Sequence, residues 1–308
     1  MRIALVTTSW PIRSSDPSGH FIQAEARLLE REGHEVFVIA PAFGGAFGWP
    51  GVAARIRQHP SRAVSAAWWV TVAHHRLKRI PAIDLTVAHW AVPSAWPIGM
   101  AARGPLEVVS HGGDVRLLVA LPSALRERVT TTIARRARQW RFASEYLMSD
   151  LLLAVQPRTR ELVQHIAIVK PVELDMPDVT GDITRLRAKL ANLCVAVCVA
   201  RLVPSKHVER AIRYVASTRE FDQLVIVGDG PERAHLEDLV RRLGVTVQFV
   251  GVVDRLQALA WIGAASALIH ASDSEGASTV VREARELGTR VVTLGTDRHG
   301  PTRHADFG

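Results

Sequence analysis

With 308 residues the chain is long for one domain and sufficient for two, and a 48% share of hydrophobic side chains excludes a disordered protein. The net charge of +8 sits in the first part: residues 1–170 hold 21 Lys/Arg against 12 Asp/Glu, and residues 171–308 hold 17 against 18. No apolar run approaches the roughly 18 residues of a spanning helix, and MRIALVTTSWP is too short for a signal peptide, so the expectation is a cytoplasmic protein, soluble or peripheral at the inner face of the cytoplasmic membrane.

Along the chain, short apolar runs alternate with amphipathic stretches. MRIALVTT predicts a strand, HFIQAEARLLERE a helix stopped near Gly33, and EVFVIA a second strand. SAAWWVTVAHHRLKRI, residues 65–80, joins Trp68 and Trp69 to Arg76, Lys78 and Arg79. It reads either as a helix with buried tryptophans or as a membrane-interface segment. DLTVAHW, PLEVVSHGG, WRFAS and HIAIV predict strands, with SALRERVTTTIARRA and EYLMSDLLLAV between them as helices. The Pro residues, acids and Gly181 of residues 171–190 break the rhythm and predict a linker between a domain at 1–170 and one at 191–308.

Alternation then restarts. CVAVCVA, QLVIVG, VTVQFVG, SALIHAS and RVVTL predict strands, separated by four helices that begin near His207, Glu232, Arg255 and Ser278. Cys194 and Cys198 share a strand face roughly 13 Å apart, too far for a disulfide, and read as core residues. Strands alternating with helices predict parallel sheets. Two such blocks predict an α/β protein of two doubly wound, Rossmann-like domains facing across a cleft.

Ligands of such sheets bind beyond the carboxyl ends of the strands. In the first block those ends carry a long loop with Gly19, then His89-Trp90, then HGGD from His111 to Asp114. In the second they carry RLVPSK (Arg201 to Lys206), GDGPE (Gly228 to Glu232), GVV and SDSEG. Two cations and the free N–H groups of a Gly loop entering a helix suit an anionic diphosphate. The carboxylates Glu275 and Glu283, eight residues apart, suit sugar or ribose hydroxyls. Each signal is weak by itself; their order at successive strand ends is specific. No cluster of metal-ligand spacing is seen that would argue for a metal, and no cofactor is expected.

The blocks HGGDV, ARLVPSKHVERAI, VIVGDGPE, VQFVGVV and SDSEGASTVVREARELGTRVV resemble those of the retaining GT-B glycosyltransferases, glycosyltransferase family 4, over nearly the whole chain. The resemblance implies retaining transfer from a nucleotide sugar by a front-face route, with no protein nucleophile and no metal. It gives Arg201 and Lys206 the donor diphosphate, and Glu275 the donor sugar hydroxyls. Gly276, Ala277, Ser278 and Thr279 would present N–H groups, and Glu283 would hold the ribose. His111 would stand at the reaction centre and Gly19 would approach the diphosphate from the other domain. Gly228 would line the donor site, and Val250, Gly251 and Val252 would flank the base. On the membrane-interface reading of residues 65–80, the expected acceptor is lipid-linked or a polysaccharide, as in cell-envelope glycan synthesis, with an anionic membrane as partner of the basic domain.

Three departures stand out. His207 replaces a glycine common after the phosphate-loop lysine, the first-loop glycine pair is reduced to Gly19, and the second domain reads as shortened after RVVTL. The shortening raises the alternative of a non-catalytic relative that binds a nucleotide or partner without turnover. A nicotinamide-dependent oxidoreductase is disfavoured because no GxGxxG follows the first strand. Nucleic-acid binding is disfavoured because no recognition motif accompanies the scattered Arg residues.

Overall fold

The computed structural model describes residues 1–11, 19–41, 47, 52–190, 193–272 and 278–294. By packing, these fall into two units, one running through Asp175 and the other beginning at Met176.

The first unit runs β1 (Arg2–Val6), α1 (His20–Arg31), β2 (Glu35–Ile39), α2 (Val52–Gln58), α3 (Arg62–Arg79) and β3 (Leu85–His89). It continues with β4 (Leu106–Ser110), α4 (Gly113–Ala120), α5 (Ser123–Arg136), β5 (Gln139–Phe142), α6 (Glu145–Ala154), α7 (Pro157–Ile166) and β6 (Ala167–Val169). Its sheet has the order β2-β1-β3-β4-β5-β6, all parallel. Both faces are covered, because alternate residues of a strand point to opposite sides. Ala4, Val6 and Ile39 pack on Ala73 and Leu77 of α3. On the other face Leu5 meets Ile22 and Ala26 of α1.

The second unit runs α8 (Thr180–Lys189), β7 (Val195–Val199), α9 (Val208–Thr218), β8 (Gln223–Val227), α10 (Arg233–Leu243) and β9 (Val247–Gly251). It continues with α11 (Arg255–Ala264), β10 (Ala267–His270), α12 (Thr279–Glu286) and β11 (Arg290–Thr293). The sheet order is β11-β10-β7-β8-β9, again parallel throughout. Ala196, Cys198, Leu224, Ile226 and Ile269 face Ile212 and Val215 of α9 and Leu236 of α10. Val195, Val197, Val225 and Leu268 face Leu259 and Ile262 of α11 and Ala284 of α12. Each fully buried aliphatic side chain of this kind contributes about 1.5–3 kcal/mol. Both cysteines are free thiols.

Local chemistry sets many of the element ends. Ser144 caps α6 by accepting from the Leu147 N–H, and Asp254 caps α11 by accepting from the Gln257 N–H at 2.8 Å. Gly244, at φ +61°, closes α10. Two readings change. HIAIV is not one strand: Pro157 opens α7, whose Thr159 and Val163 are buried four residues apart, and only Ala167–Val169 is strand. The stretch read as linker is irregular only to residue 179, after which it forms α8. That helix lies against α11, where Ile183 meets the helical Gly263 so closely that a Cβ there would stand 2.4 Å from its Cδ1.

Candidate active site

In the second unit the strand order reverses between β7 and β10, since β8 and β9 lie on one side of β7 and β10 and β11 on the other. In open parallel sheets such a switch point is where ligands bind, beyond the carboxyl ends of the two strands. The loop after β7 contains Arg201 and ends in a short 3-10 turn, Pro204–Lys206. It is tied to the loop after β10: the Ser272 hydroxyl donates to the Ser205 carbonyl at 3.3 Å, and the Arg210 guanidinium donates to the Ala271 carbonyl at 3.5 Å.

Lys206 lies close enough to both strand ends to act on their titratable groups. Burial first, and Lys206 second, lower His270 at the end of β10 to about 4. Burial pushes the Cys198 thiol up to about 12, with Lys206 pulling the other way. His207 follows in the left-handed region, φ 48° and ψ 39°, which costs a side-chain-bearing residue about 1 kcal/mol. A glycine would sit there without strain, so the chain accepts a backbone cost to place an imidazole beside Lys206. Its Nδ1 lies 3.4 Å from Glu209.

The GDGPE turn packs against this loop through bare backbone. A Cβ on Gly228 would stand 1.9 Å from the Ala200 carbonyl oxygen, and one on Gly230 would stand 2.3 Å from that of Leu202. The Leu202 N–H donates to the Asp229 carbonyl at 2.9 Å, and the Glu232 N–H donates to Leu202 at 3.1 Å. Gly228 also donates to the Gly251 carbonyl at 2.8 Å, which joins the ends of β8 and β9. Of the three residues read as flanking the base, Val250 packs into the core, Gly251 has φ +84° and Val252 is exposed. Arg201, Lys206, Gly228 and Gly251 thus stand on three successive strand ends of one sheet.

Glu275, Gly276 and Ala277 lie outside the described residues. Ser278 precedes α12, its hydroxyl buried with no hydrogen-bond partner among the described residues, and Thr279 is the first residue of the helix. Glu283, one turn further, is only 8% exposed. Burial raises the pKa of its carboxyl, opposed by Arg255 on α11, whose Nη1 stands 3.0 Å from Oε1. The reading from the sequence gave Glu283 no protein partner; the fold supplies one.

In the first unit Gly19 is described and begins α1 at φ +86°, where a Cβ would meet the Ser9 carbonyl oxygen at 2.8 Å. His111 leaves the end of β4 and is enclosed by three rings. Phe21 is 4.8 Å from it between centroids, Trp90 5.0 Å and His89 5.2 Å. Its loop is anchored by Asp114, a buried carboxylate that accepts from the backbone N–H groups of Ala91 at 2.8 Å and of His111 and Gly112 at 3.1 Å. His111 Nε2 lies 3.0 Å from His89 Nδ1.

Behind His89, Glu25 of α1 approaches its Nε2 at 3.6 Å and forms a short ion pair with Arg141 of β5. Burial and the charge of Arg141 lower His89 to about 3. Burial and His89 lower His111 to about 3, against the opposing pull of Asp114 and Glu25. Both imidazoles are therefore neutral at pH 7. The sequence reading placed His89 and Asp114 at strand ends and gave neither a role, and it passed over Glu25 and Arg141. For His89 and Asp114 the strand-end position was the signal, and nothing local pointed to Glu25 or Arg141.

Residues 187–303 match the family described as Glycosyl transferases group 1. Over 98% of this chain and 80% of its own length, a GDP-mannose-dependent alpha-mannosyltransferase of Mycobacterium tuberculosis is 26% identical. A GDP-mannose-dependent alpha-(1-6)-phosphatidylinositol monomannoside mannosyltransferase of the same organism is 28% identical over 94% of the chain and 80% of its own. Among solved structures, Anabaena HepE with UDP and glucose superposes with a TM-score of 0.62 at 22% identity, covering 95% of this chain and 80% of that one. WaaG, a glycosyltransferase of lipopolysaccharide biosynthesis, gives 0.62 at 19% identity over 96% and 82%. Its two parallel sheets and these likenesses give the chain the fold of the GT-B glycosyltransferases, and its residues 187–303 are similar to the group 1 glycosyl transferases.

Proposed function

We propose that the chain transfers a sugar, with retention, from a nucleotide-sugar donor to a lipid-linked or polysaccharide acceptor of the cell envelope. The reading is carried by the β7/β10 switch point, where Arg201 and Lys206 stand at the strand ends and α12 begins after the next loop. In the reaction the bond from the anomeric carbon to the phosphate oxygen breaks and its electron pair stays on the diphosphate. Arg201, Lys206 and the N–H groups at the start of α12 stabilise that charge. The acceptor hydroxyl adds to the face the diphosphate leaves and passes its proton to the departing phosphate. Glu283, oriented by Arg255 through Oε1, offers its other oxygen to the ribose. No metal is assigned a step.

The curated relatives use GDP-mannose, which makes it the first donor to test. Calorimetry should show one of GDP, UDP and ADP binding selectively, and Lys206→Ala should weaken that binding by about 10-fold or more, the loss of one charge-assisted phosphate contact. Transfer is then followed with the matching labelled nucleotide sugar and a glycolipid acceptor. A folded chain that binds none of the three nucleotides overturns the proposal.

The membrane is assigned to α3. Trp69 packs on the core and against Phe47, while Trp68 and Val64, one turn apart, are 69% and 73% exposed. Arg76, Lys78 and Arg79 close the same helix. An exposed tryptophan on a basic helix suits the headgroup region of an anionic bilayer, so the protein works peripherally at the inner face of the cytoplasmic membrane.

A further inference from the structure

The pair formed by His89 and His111 has an orientation that the transfer reaction itself does not explain. His89, Val109 and Arg141 are in register across β3, β4 and β5, so their side chains leave the same face of the sheet. That face is the one covered by α1, and Glu25 descends from α1 onto both His89 and Arg141. One carboxylate oxygen takes the Arg141 guanidinium. The other faces His89 Nε2 at 3.6 Å.

His89 is wholly buried, and its Nε2 has no hydrogen-bond partner among the described residues. A lone pair held there would point at a carboxylate in a medium of low dielectric; a proton there is attracted to it. A neutral imidazole carries one proton, so with Nε2 protonated, Nδ1 is an acceptor. The 3.0 Å contact at Nδ1 then needs a donor, which is the Nε2–H of His111. The ring planes differ by only 6°, and the 5.2 Å between centroids is about what the N···N contact plus the two ring radii require. The rings therefore meet edge to edge in one plane, the geometry of a linear N–H···N bond rather than of a face stack. His111 Nδ1, in turn, has no hydrogen-bond partner among the described residues.

We propose that His89, backed by Glu25, is a positioning residue that fixes His111 in its Nε2–H tautomer, so that the lone pair on Nδ1 is what His111 presents to a hydroxyl of the bound sugar. The identity of that hydroxyl-bearing ligand rests on the transferase reading; the tautomer does not. The charged and titratable groups facing the pair are Glu25 of α1, Arg141 of β5 and Asp114 of α4, and Phe21 and Trp90 lie against the ring of His111. In this arrangement His111 accepts a hydrogen bond from a neutral donor and orients it. It does not act as a cation on the leaving phosphate.

Long-range ¹⁵N–¹H correlation spectra of the histidine-labelled full chain test this without substrate. The expected spectrum shows His111 protonated on Nε2 and bare on Nδ1, unchanged from pH 8 to 5. His89→Leu removes the acceptor, and His111 should then become a mixture of tautomers. His89→Asn, whose carbonyl oxygen stands near the place of Nδ1, should restore the native form. In transfer assays His89→Leu should lower kcat by about 10-fold with donor Kd nearly unchanged, and His89→Asn should recover most of it. A native chain with His111 protonated on Nδ1, or charged at pH 6, overturns the proposal, and needs no variant to fold. So does a His89→Leu chain whose His111 tautomer is unaltered. The expected spectrum in a chain that transfers no sugar supports the positioning role and counts against the transferase reading instead.

Discussion

Asp114 shows how one side chain organises a strand-end loop. Its carboxylate satisfies three backbone N–H groups that no strand or helix satisfies, one on the segment after β3 and two on the segment after β4. It therefore holds together the loop that follows His89 and the loop that carries His111. Removing it leaves three donors without their acceptor, each costing about 1–3 kcal/mol when buried. Asp114→Ala should lower the unfolding free energy by about 3 kcal/mol, read from urea midpoints, with Asp114→Asn losing less because its carbonyl oxygen still accepts. A variant within about 0.5 kcal/mol of the native chain would show that the loops hold themselves.

Among the elements, α3 makes the most specific claim. Its Trp69, Val70, Ala73 and Leu77 pack inward, whereas Trp68 and Val64 point to solvent and add nothing to that core. Trp68→Ala should therefore leave the melting temperature within a few degrees, yet reduce co-sedimentation with phosphatidylglycerol-containing vesicles several-fold. Replacing Arg76, Lys78 and Arg79 together should do the same and remove most of the salt dependence. Vesicle binding that survives both changes excludes α3 as the membrane face.

On the scale of the whole molecule, the buried imidazoles link stability to pH. Burial, with Arg141 beside it, lowers His89 from the ordinary histidine value of 6.5 to about 3 in the folded chain. Below pH 6.5 the unfolded chain takes up a proton that the folded chain refuses. The contribution of His89 is thus fully present above pH 6.5 and is lost as pH falls toward about 3, at up to about 1.4 kcal/mol per pH unit. His111, lowered in the same direction, adds to the slope. Glu283 has the opposite sign: its pKa, raised by burial, favours the fold below the ordinary value of 4.5, and that contribution is lost as pH rises through the folded value. Between pH 6.5 and 5 the histidines dominate. Urea midpoints should fall from pH 7 to pH 5, less steeply in His89→Asn; a midpoint flat over that range contradicts the buried neutral pair.

Much of this protein was legible along the chain. Apolar alternation marked the strands of both sheets and so located the residues just past them, His111, Arg201, Lys206 and Gly228, because period and strand-end position are local properties. α7 and α8 were missed because an apolar run of three to five residues suits a strand or a helix, and because Pro and Gly mark a helix start as readily as a linker. Tertiary structure alone decided the rest. It put the loops of β7 and β10 side by side, turned Trp68 out and Trp69 in, and set Arg255 against Glu283. It also brought residues 25, 89, 111 and 141 into one run of contacts around the buried His89, which sets where the protons of His89 and His111 lie. These depend on strand order, on register across three strands and on the path of a covering helix. Contacts between residues tens of positions apart are fixed by packing, and no local pattern encodes them.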